Sequence, residues 1–175
     1  MEAPIRVLMV CMGNICRSPT AEAVLRHRID EAGLSGFLEV DSAGTHAFHV
    51  GNPPDERSQM HARLRGYELG ALRARRVSDA DYQAFDLLLA MDWDNLSLLE
   101  QGAPDDAAVR RKLRRLVDFI PVDDARAGAQ VVPDPYGGGP DGFEDVLDLI
   151  EAACDGLIEH LRMRVVARHP GVLDH

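Results

Sequence analysis

The sequence predicts an α/β fold in a single domain, and three observations carry that prediction. An apolar run, Ile5 to Val10, leads through a short glycine-bearing loop into an alanine-rich amphipathic segment and then a second apolar run, Phe37-Leu38-Glu39-Val40; this is the order of a βαβ unit. Phe85-Asp86-Leu87-Leu88-Leu89-Ala90-Met91 is nearly continuous in apolar character, as a parallel strand covered on both faces reads. Phe143, Val146, Leu147, Ile150, Ala153, Cys154, Leu157, Ile158 and Leu161 recur at spacings of three and four, the strongest helical period in the chain. At 175 residues one domain of ordinary size is expected, and neither an internal repeat nor a shift of composition marks a second.

The first strand runs into Cys11-Met12-Gly13-Asn14-Ile15-Cys16-Arg17-Ser18-Pro19-Thr20. The helix beyond it is expected to start at Ser18 with proline in its first position and to end at Gly33. A loop feeding a helix N-terminus gathers unpaired backbone N–H groups and the positive end of the helix dipole, which makes an anion site. The same field acts on a thiol there, since a cysteine pKa of about 8.5 falls to roughly 3.5–7.5 near a helix N-terminus or a cation. Cys11 is therefore a candidate thiolate nucleophile, and Arg17 offers a planar fork suited to two phosphate oxygens. The competing reading of Cys11 is a core cysteine at a strand end; the apolar strand, Gly13, Asn14 and the Ser-Pro helix start favour chemistry.

After the second strand comes Asp41-Ser42-Ala43-Gly44-Thr45. Ligands of parallel sheets bind beyond the carboxyl ends of the strands, so Ser42 is expected to face the same crevice as Cys11; on spacing alone it reads equally as a turn residue. The loop from His46 to Pro54 carries Phe48, which reads either as a wall of the anion site or as cover for the core edge. Asp55 is expected to cap a helix running to Arg65. The cluster Arg73, Arg75, Arg76 reads as a solvated face. Ser78 to Asp81 looks like a helix cap, and Asp92-Trp93-Asp94-Asn95 opens a further helix with acidic residues in its first turn, Trp93 reading as packing. Residues 105–115 read as a helix and Leu116-Val117-Asp118-Phe119-Ile120 as the fourth strand. The stretch from Val131 to Pro140 has no regular period; within it Asp134 lies between two prolines, which restrain its backbone on both sides and aim a carboxylic acid. In isolation it reads as a turn aspartate. The last dozen residues, rich in arginine and histidine, read as a loose tail, its bounds set at 166–175.

Composition narrows the function classes. A net charge of −10 disfavours non-specific binding to nucleic acid or membrane surfaces, and it makes a local positive pocket necessary for any anionic substrate. No apolar run approaches the roughly 20 residues of a membrane span. The N-terminal residues lack a secretory pattern, which sets a cytoplasmic location as the expectation. Three cysteines without a CxxC pair and seven histidines without a ligand spacing set the expectation that no metal is bound. Nothing specifies an oligomeric state.

Taken in order, Cys11 to Ser18, Asp41-Ser42-Ala43-Gly44, Met91-Asp92 and Asp134-Pro135-Tyr136 closely resemble the low-molecular-weight protein tyrosine phosphatases, over roughly residues 5 to 161. The resemblance implies a four-stranded parallel sheet with helices on both faces, a phosphatase domain over residues 1–165, and a phosphate-binding loop between the first strand and the first helix. It implies that Cys11 attacks phosphorus to give a phosphocysteine, while the backbone of Met12, Gly13, Asn14, Ile15, Cys16 and Arg17 and the Arg17 side chain hold the phosphoryl oxygens. Ser18 would donate to the Cys11 sulfur, Asn14 and Ser42 would hold the loop, and Asp134 would protonate the leaving oxygen and then activate water. Phe48 and Tyr136 match positions whose aromatics wall the cleft. Cys16 matches a cysteine that pairs reversibly with the nucleophile in the family, which averts over-oxidation. No metal or organic cofactor is implied; the partner is a tyrosine-phosphorylated protein, with tyrosine kinases as candidates.

Two positions depart from the family pattern: Leu72 stands where many relatives have a histidine supporting the serine–asparagine network, and Gly137 where a second aromatic follows the matched tyrosine. Three rival readings share the loop. An arsenate reductase needs relay cysteines, and outside the loop the chain has only Cys154. A phosphoarginine phosphatase tends to have threonine where this chain has Ile15. A phosphate-binding module needs neither a thiolate nor an acid.

Overall fold

The structure, a computed structural model, describes residues 3–172. Among the described residues the sheet has four parallel strands, β1 (Ile5–Cys11), β2 (Leu38–Gly44), β3 (Leu87–Ala90) and β4 (Leu113–Arg115), in the spatial order β2-β1-β3-β4. The chain winds from β1 outward to β2 and then crosses back to β3 on the other side. At such a reversal the loops leaving neighbouring strands part, and a crevice opens beyond their carboxyl ends. Cys11 pairs with Gly44 and Val10 with Ala90, so the thiol emerges level with the ends of both flanking strands.

Both faces of the sheet are covered, which accounts for strands that are apolar at nearly every position. Val7, Met9, Cys11, Leu87, Leu89 and Met91 share one core with α1 (Arg17–Glu31), α2 (Glu56–Leu64) and α6 (Pro140–Arg168). Leu8, Val10, Leu88 and Ala90 pack on the other face with α3 (Asp81–Ala84), α4 (Trp93–Gly102) and α5 (Ala107–Arg110). Local chemistry starts and stops the helices. The Asp55 carboxylate accepts from the amides of Arg57 and Ser58 to cap α2, and Asp92 accepts from the Asn95 amide to cap α4. Gly33, at φ 69°, turns the chain out of α1 in a conformation that a Cβ would strain.

Four boundaries differ from the sequence reading. α1 begins at Arg17 with Cys16 at its N-cap, so Pro19 lies two residues inside the helix, still in the first turn where an N–H has no helical partner. The fourth strand is Leu113–Arg115, and Leu116–Phe119 forms a 3-10 turn instead. Asp118 causes this, accepting from both the Arg115 amide at 3.3 Å and its guanidinium at 2.7 Å, so the chain curls and its apolar residues pack against α6. The helix expected over 105–115 contracts to the single turn of α5. Finally, α6 continues to Arg168, past the boundary expected at 165. The Arg168 guanidinium donates to the Ala3 carbonyl at 3.4 Å, the His169 ring meets Phe37 at 5.1 Å, and Val172 packs on the main core. Residues 173–175 of the expected tail lie outside the described residues.

Candidate active site

The loop between β1 and α1 curls around the Cys11 sulfur. Asn14 makes that curl possible by adopting φ 57°, a left-handed conformation that asparagine tolerates better than most residues. Its amide donates to Cys11 Sγ at 3.3 Å, and among the described residues no backbone carbonyl accepts from the amides of Met12, Gly13, Ile15 or Cys16. A ring of unpaired donors beside a helix N-terminus is a cradle for a tetrahedral oxyanion.

Asn14 is fixed on every polar atom of its side chain. Nδ2 donates to Ser18 Oγ at 2.8 Å and to Ser42 Oγ at 2.9 Å, and Oδ1 accepts from the Arg75 amide at 3.0 Å. These bonds decide the hydroxyl directions. Ser18 Oγ already accepts from Asn14, so its hydrogen is available to the Cys11 sulfur 3.0 Å away. Ser42 Oγ likewise accepts from Asn14 and donates to Glu22 Oε1 at 2.7 Å. Glu22 is buried on α1, and that burial raises its carboxyl above the usual range despite the bonds from Ser42 and Arg26. Leu72, expected from the resemblance to stand where many relatives have a histidine, is packed against the main core, and Glu22 and Arg75 hold Ser42 and Asn14. Arg75 does not lie on the solvated face expected of its cluster. It makes ion pairs with Asp41 and Asp81 and presents its backbone to the loop.

Arg17 is 2% exposed, and its partners determine which edge it offers a ligand. Nη1 donates to Asp92 Oδ2 at 2.6 Å and to the Val132 carbonyl at 3.0 Å. The Nε–Nη2 edge makes no hydrogen bond with the described residues, and Nη2 lies 3.8 Å from Asp134 Oδ2. Asp134 stands on the loop before α6, its other oxygen accepting from the Tyr136 amide at 3.0 Å.

Cys11, Met12, Gly13, Ile15, Cys16, Arg17, Phe48, His49, Asp134 and Tyr136 line one cleft of about 170 Å³. The sequence-predicted residues thus converge, with Asn14, Ser18 and Ser42 forming the layer behind the cleft. Phe48 and Tyr136 are half or more exposed at its rim, Phe48 stacked on His46 with ring centres 5.1 Å apart. Cys16 is buried beside Ile15, Ala74 and Phe143, and burial pushes its thiol up to about 12. Cys154 is fully buried in the main core, which also raises its thiol. Among the described residues no three His, Cys, Asp or Glu side chains gather as a metal site.

Four contributors were not singled out from the sequence as parts of the site: Asp92, Glu22, Arg75 and His49. Asp92 reads locally as part of a helix opening, and it is the residue that caps the helix; only the fold reveals its second oxygen on Arg17. Glu22 offered one signal, a carboxylate on the apolar face of an alanine-rich helix.

The family model for the low molecular weight phosphotyrosine protein phosphatases matches residues 6–167. A low molecular weight protein-tyrosine-phosphatase of Streptomyces coelicolor is 44% identical over 166 residues, covering 93% of this chain and 97% of that one. The crystal structure of a protein tyrosine phosphatase from Entamoeba histolytica superposes with a TM-score of 0.85 at 38% identity, over 91% of this chain and 98% of that one. A Drosophila arginine phosphatase superposes with a TM-score of 0.80 at 33% identity, over 89% and 97%. With its family model spanning nearly its whole length, the chain belongs to the low molecular weight phosphotyrosine protein phosphatases, a family of hydrolases.

Proposed function

We propose that the chain hydrolyses protein phosphotyrosine through a phosphocysteine, with Cys11 as nucleophile, Arg17 as oxyanion clamp and Asp134 as proton donor. The observation that carries the assignment is that all three line one cleft, with the Ser18 hydroxyl 3.0 Å from the sulfur. The Ser18 hydroxyl and the Asn14 amide both direct a hydrogen at the attacking sulfur, at 3.0 and 3.3 Å. In the first step Cys11 Sγ bonds to phosphorus and the P–O bond to the tyrosyl oxygen breaks, that oxygen taking the Asp134 proton. The free amides of the loop and the Nε–Nη2 edge of Arg17 meet the charge on the three equatorial oxygens. In the second step Asp134, now ionised, takes a proton from water as the water attacks phosphorus; the S–P bond breaks and phosphate leaves.

Ile15, Phe48 and Tyr136 supply apolar surface for an aromatic ring at the mouth. Cys16 is the redox partner in this reading, its thiol being a neighbour of the nucleophile in the same loop. A tyrosine-phosphorylated protein is the partner, a tyrosine kinase among the candidates. No helix among the described residues is long and apolar enough to cross a membrane, and the working location is the cytoplasm.

Similarity to an arginine phosphatase supports a second substrate, phosphoarginine. Ile15 favours the aromatic ester, and Ile15→Thr tests that preference by comparing the two substrates. The overall reading is tested with EDTA present against phosphotyrosine, phosphoserine, phosphoarginine and arsenate. Phosphotyrosine hydrolysis is expected to dominate; preferential turnover of phosphoarginine, or thiol-dependent arsenate reduction at a comparable rate, overturns it.

A further inference from the structure

We propose that Arg57 is a positioning residue for the proton donor, tying the loop that carries Asp134 to the loop that carries Cys11. The proposal rests on Asp134 being the acid, as proposed above.

Residues 133–139 are poorly anchored by their own sequence. Two prolines restrict the start, but Gly137-Gly138-Gly139 follow without side chains to pack. Within the loop the Tyr136 amide donates to Asp134 Oδ1 at 3.0 Å and the Gly138 amide to the Pro135 carbonyl at 2.9 Å. Beyond the first turn of α6, whose Gly142 amide donates to the Gly139 carbonyl at 3.1 Å, one hydrogen bond among the described residues reaches this loop from another element: Arg57 Nη2 donates to the Tyr136 carbonyl at 2.7 Å. The same guanidinium lies over the rings of Tyr136 and Phe143, at 5.6 Å and 4.8 Å from their centres.

Arg57 is itself held from the other side. Its Nε and Nη2 face the two Asp55 oxygens at 3.3 and 3.2 Å. The Asp55 amide in turn donates to the carbonyl of Ile15, inside the phosphate loop, at 2.8 Å. Phe143, beneath the guanidinium, packs with Ile15 and Cys16. A continuous path therefore runs from Ile15 through Asp55, Arg57 and the Tyr136 peptide to the Asp134 carboxylate. It needs a planar fork that can serve a carboxylate and a carbonyl while stacking between two rings, a combination lysine does not offer.

The ordinary alternative is an exposed Arg–Asp pair of little consequence, since Arg57 is 45% exposed and such pairs contribute little to stability. The two readings predict different measurements. A misplaced acid lets the phenolate leave unprotonated, which costs rate in proportion to the basicity of the leaving group. The full-length protein, Arg57→Met, Asp134→Asn and the double variant are compared by kcat/KM on phenyl phosphate and on p-nitrophenyl phosphate. Arg57→Met is expected to lose roughly three- to tenfold on phenyl phosphate with little loss on the nitrophenyl ester, at nearly unchanged Tm. The double variant is expected to be no slower than Asp134→Asn. If the methionine variant does not fold, Arg57→Lys, which keeps the charge without the fork, shows the same selective loss. An equal loss on both esters, no loss on phenyl phosphate, or full additivity with Asp134→Asn overturns the role of Arg57. An Asp134→Asn variant indifferent to the leaving group overturns the acid assignment itself, and this proposal with it.

Discussion

Asp92 divides its carboxylate between two tasks: Oδ2 accepts from Arg17 Nη1 at 2.6 Å, and Oδ1 accepts from the Asn95 amide at 2.7 Å to start α4. One side chain thus fixes the rotation of the buried guanidinium and the helix that follows β3. Removing it in Asp92→Ala leaves Arg17 short of its nearest anion, a change that costs about 3–5 kcal/mol where both partners are fully buried and less here, with Asp92 23% exposed. The expected outcome is a large fall in the urea midpoint, together with a loss of kcat/KM that inorganic phosphate binding mirrors, because the clamp has lost its orientation. Asp92→Asn keeps both acceptor positions available through one oxygen at a time and is expected to fall between the two.

Cys11→Ser is expected to abolish turnover while leaving phosphate affinity within an order of magnitude. The cradle of amides and Arg17 remain, and only the nucleophile is exchanged for a hydroxyl that does not ionise at neutral pH. Trapping of radiolabelled phosphate on the wild-type protein after an acid quench, and its absence from the serine variant, checks the covalent step.

Asn14 separates backbone strain from side-chain bonding. Both Asn14→Ala and Asn14→Gly lose the bonds to Ser18, Ser42 and Arg75, but only alanine also pays the steric penalty of the left-handed conformation, about 1–2 kcal/mol. Alanine is therefore expected to be the less stable of the two by roughly 1 kcal/mol, read from denaturation curves. Both variants are expected to be poor catalysts, since Ser18 no longer has its hydrogen directed to sulfur.

Two buried carboxylates give stability opposite slopes with pH. Burial tends to raise the Asp81 carboxyl, but Arg75 and Ser78 outweigh it and hold it below the usual range. Its contribution is present above the usual aspartate pKa of about 3.9 and is lost as pH falls through the lower folded value. Glu22 behaves in reverse: burial raises it, so its contribution is present below the usual range and is lost as pH rises through the raised value. Urea titrations should therefore show Asp81→Asn converging on the wild type in acid, and Glu22→Gln gaining on the wild type from acid towards neutral pH.

How far the sequence carried these conclusions depended on the range of the interaction. Signals that act within a few residues were legible: Asp55 as a cap, Asp92 at the opening of a helix, Gly33 as a helix stop, the β1 loop leading straight into a helix, and the period of α6. The fourth strand was misplaced because Leu116 to Ile120 has the composition of a strand, while Asp118 reaches back to Arg115 and closes a turn. Arg75 read as solvated because charge spacing along the chain does not reveal Asp41, its partner 34 residues earlier. Trp93 read as packing, yet it is half exposed beneath the Arg115 guanidinium, whose charge centre lies 3.8 Å from the ring centre. For Arg75 and Trp93 the partner was brought up by the fold, which local pattern does not encode; for the fourth strand the partner lies three residues away, and the strand-like composition masked it.

The wide separation of the site's parts along the chain has a consequence during synthesis. The nucleophile loop is complete by Ser18, but the carbonyl that holds Arg17 belongs to Val132, the carboxylic acid is Asp134, and α6, which packs in the same core as α1, follows both. A chain growing from its N-terminus contains the thiol long before it contains Val132, which holds Arg17, and Asp134, which supplies the proton in the proposed mechanism. On the proposed mechanism, a chain that stops before Asp134 carries the cysteine without its proton donor, and full activity reports that synthesis has passed that loop.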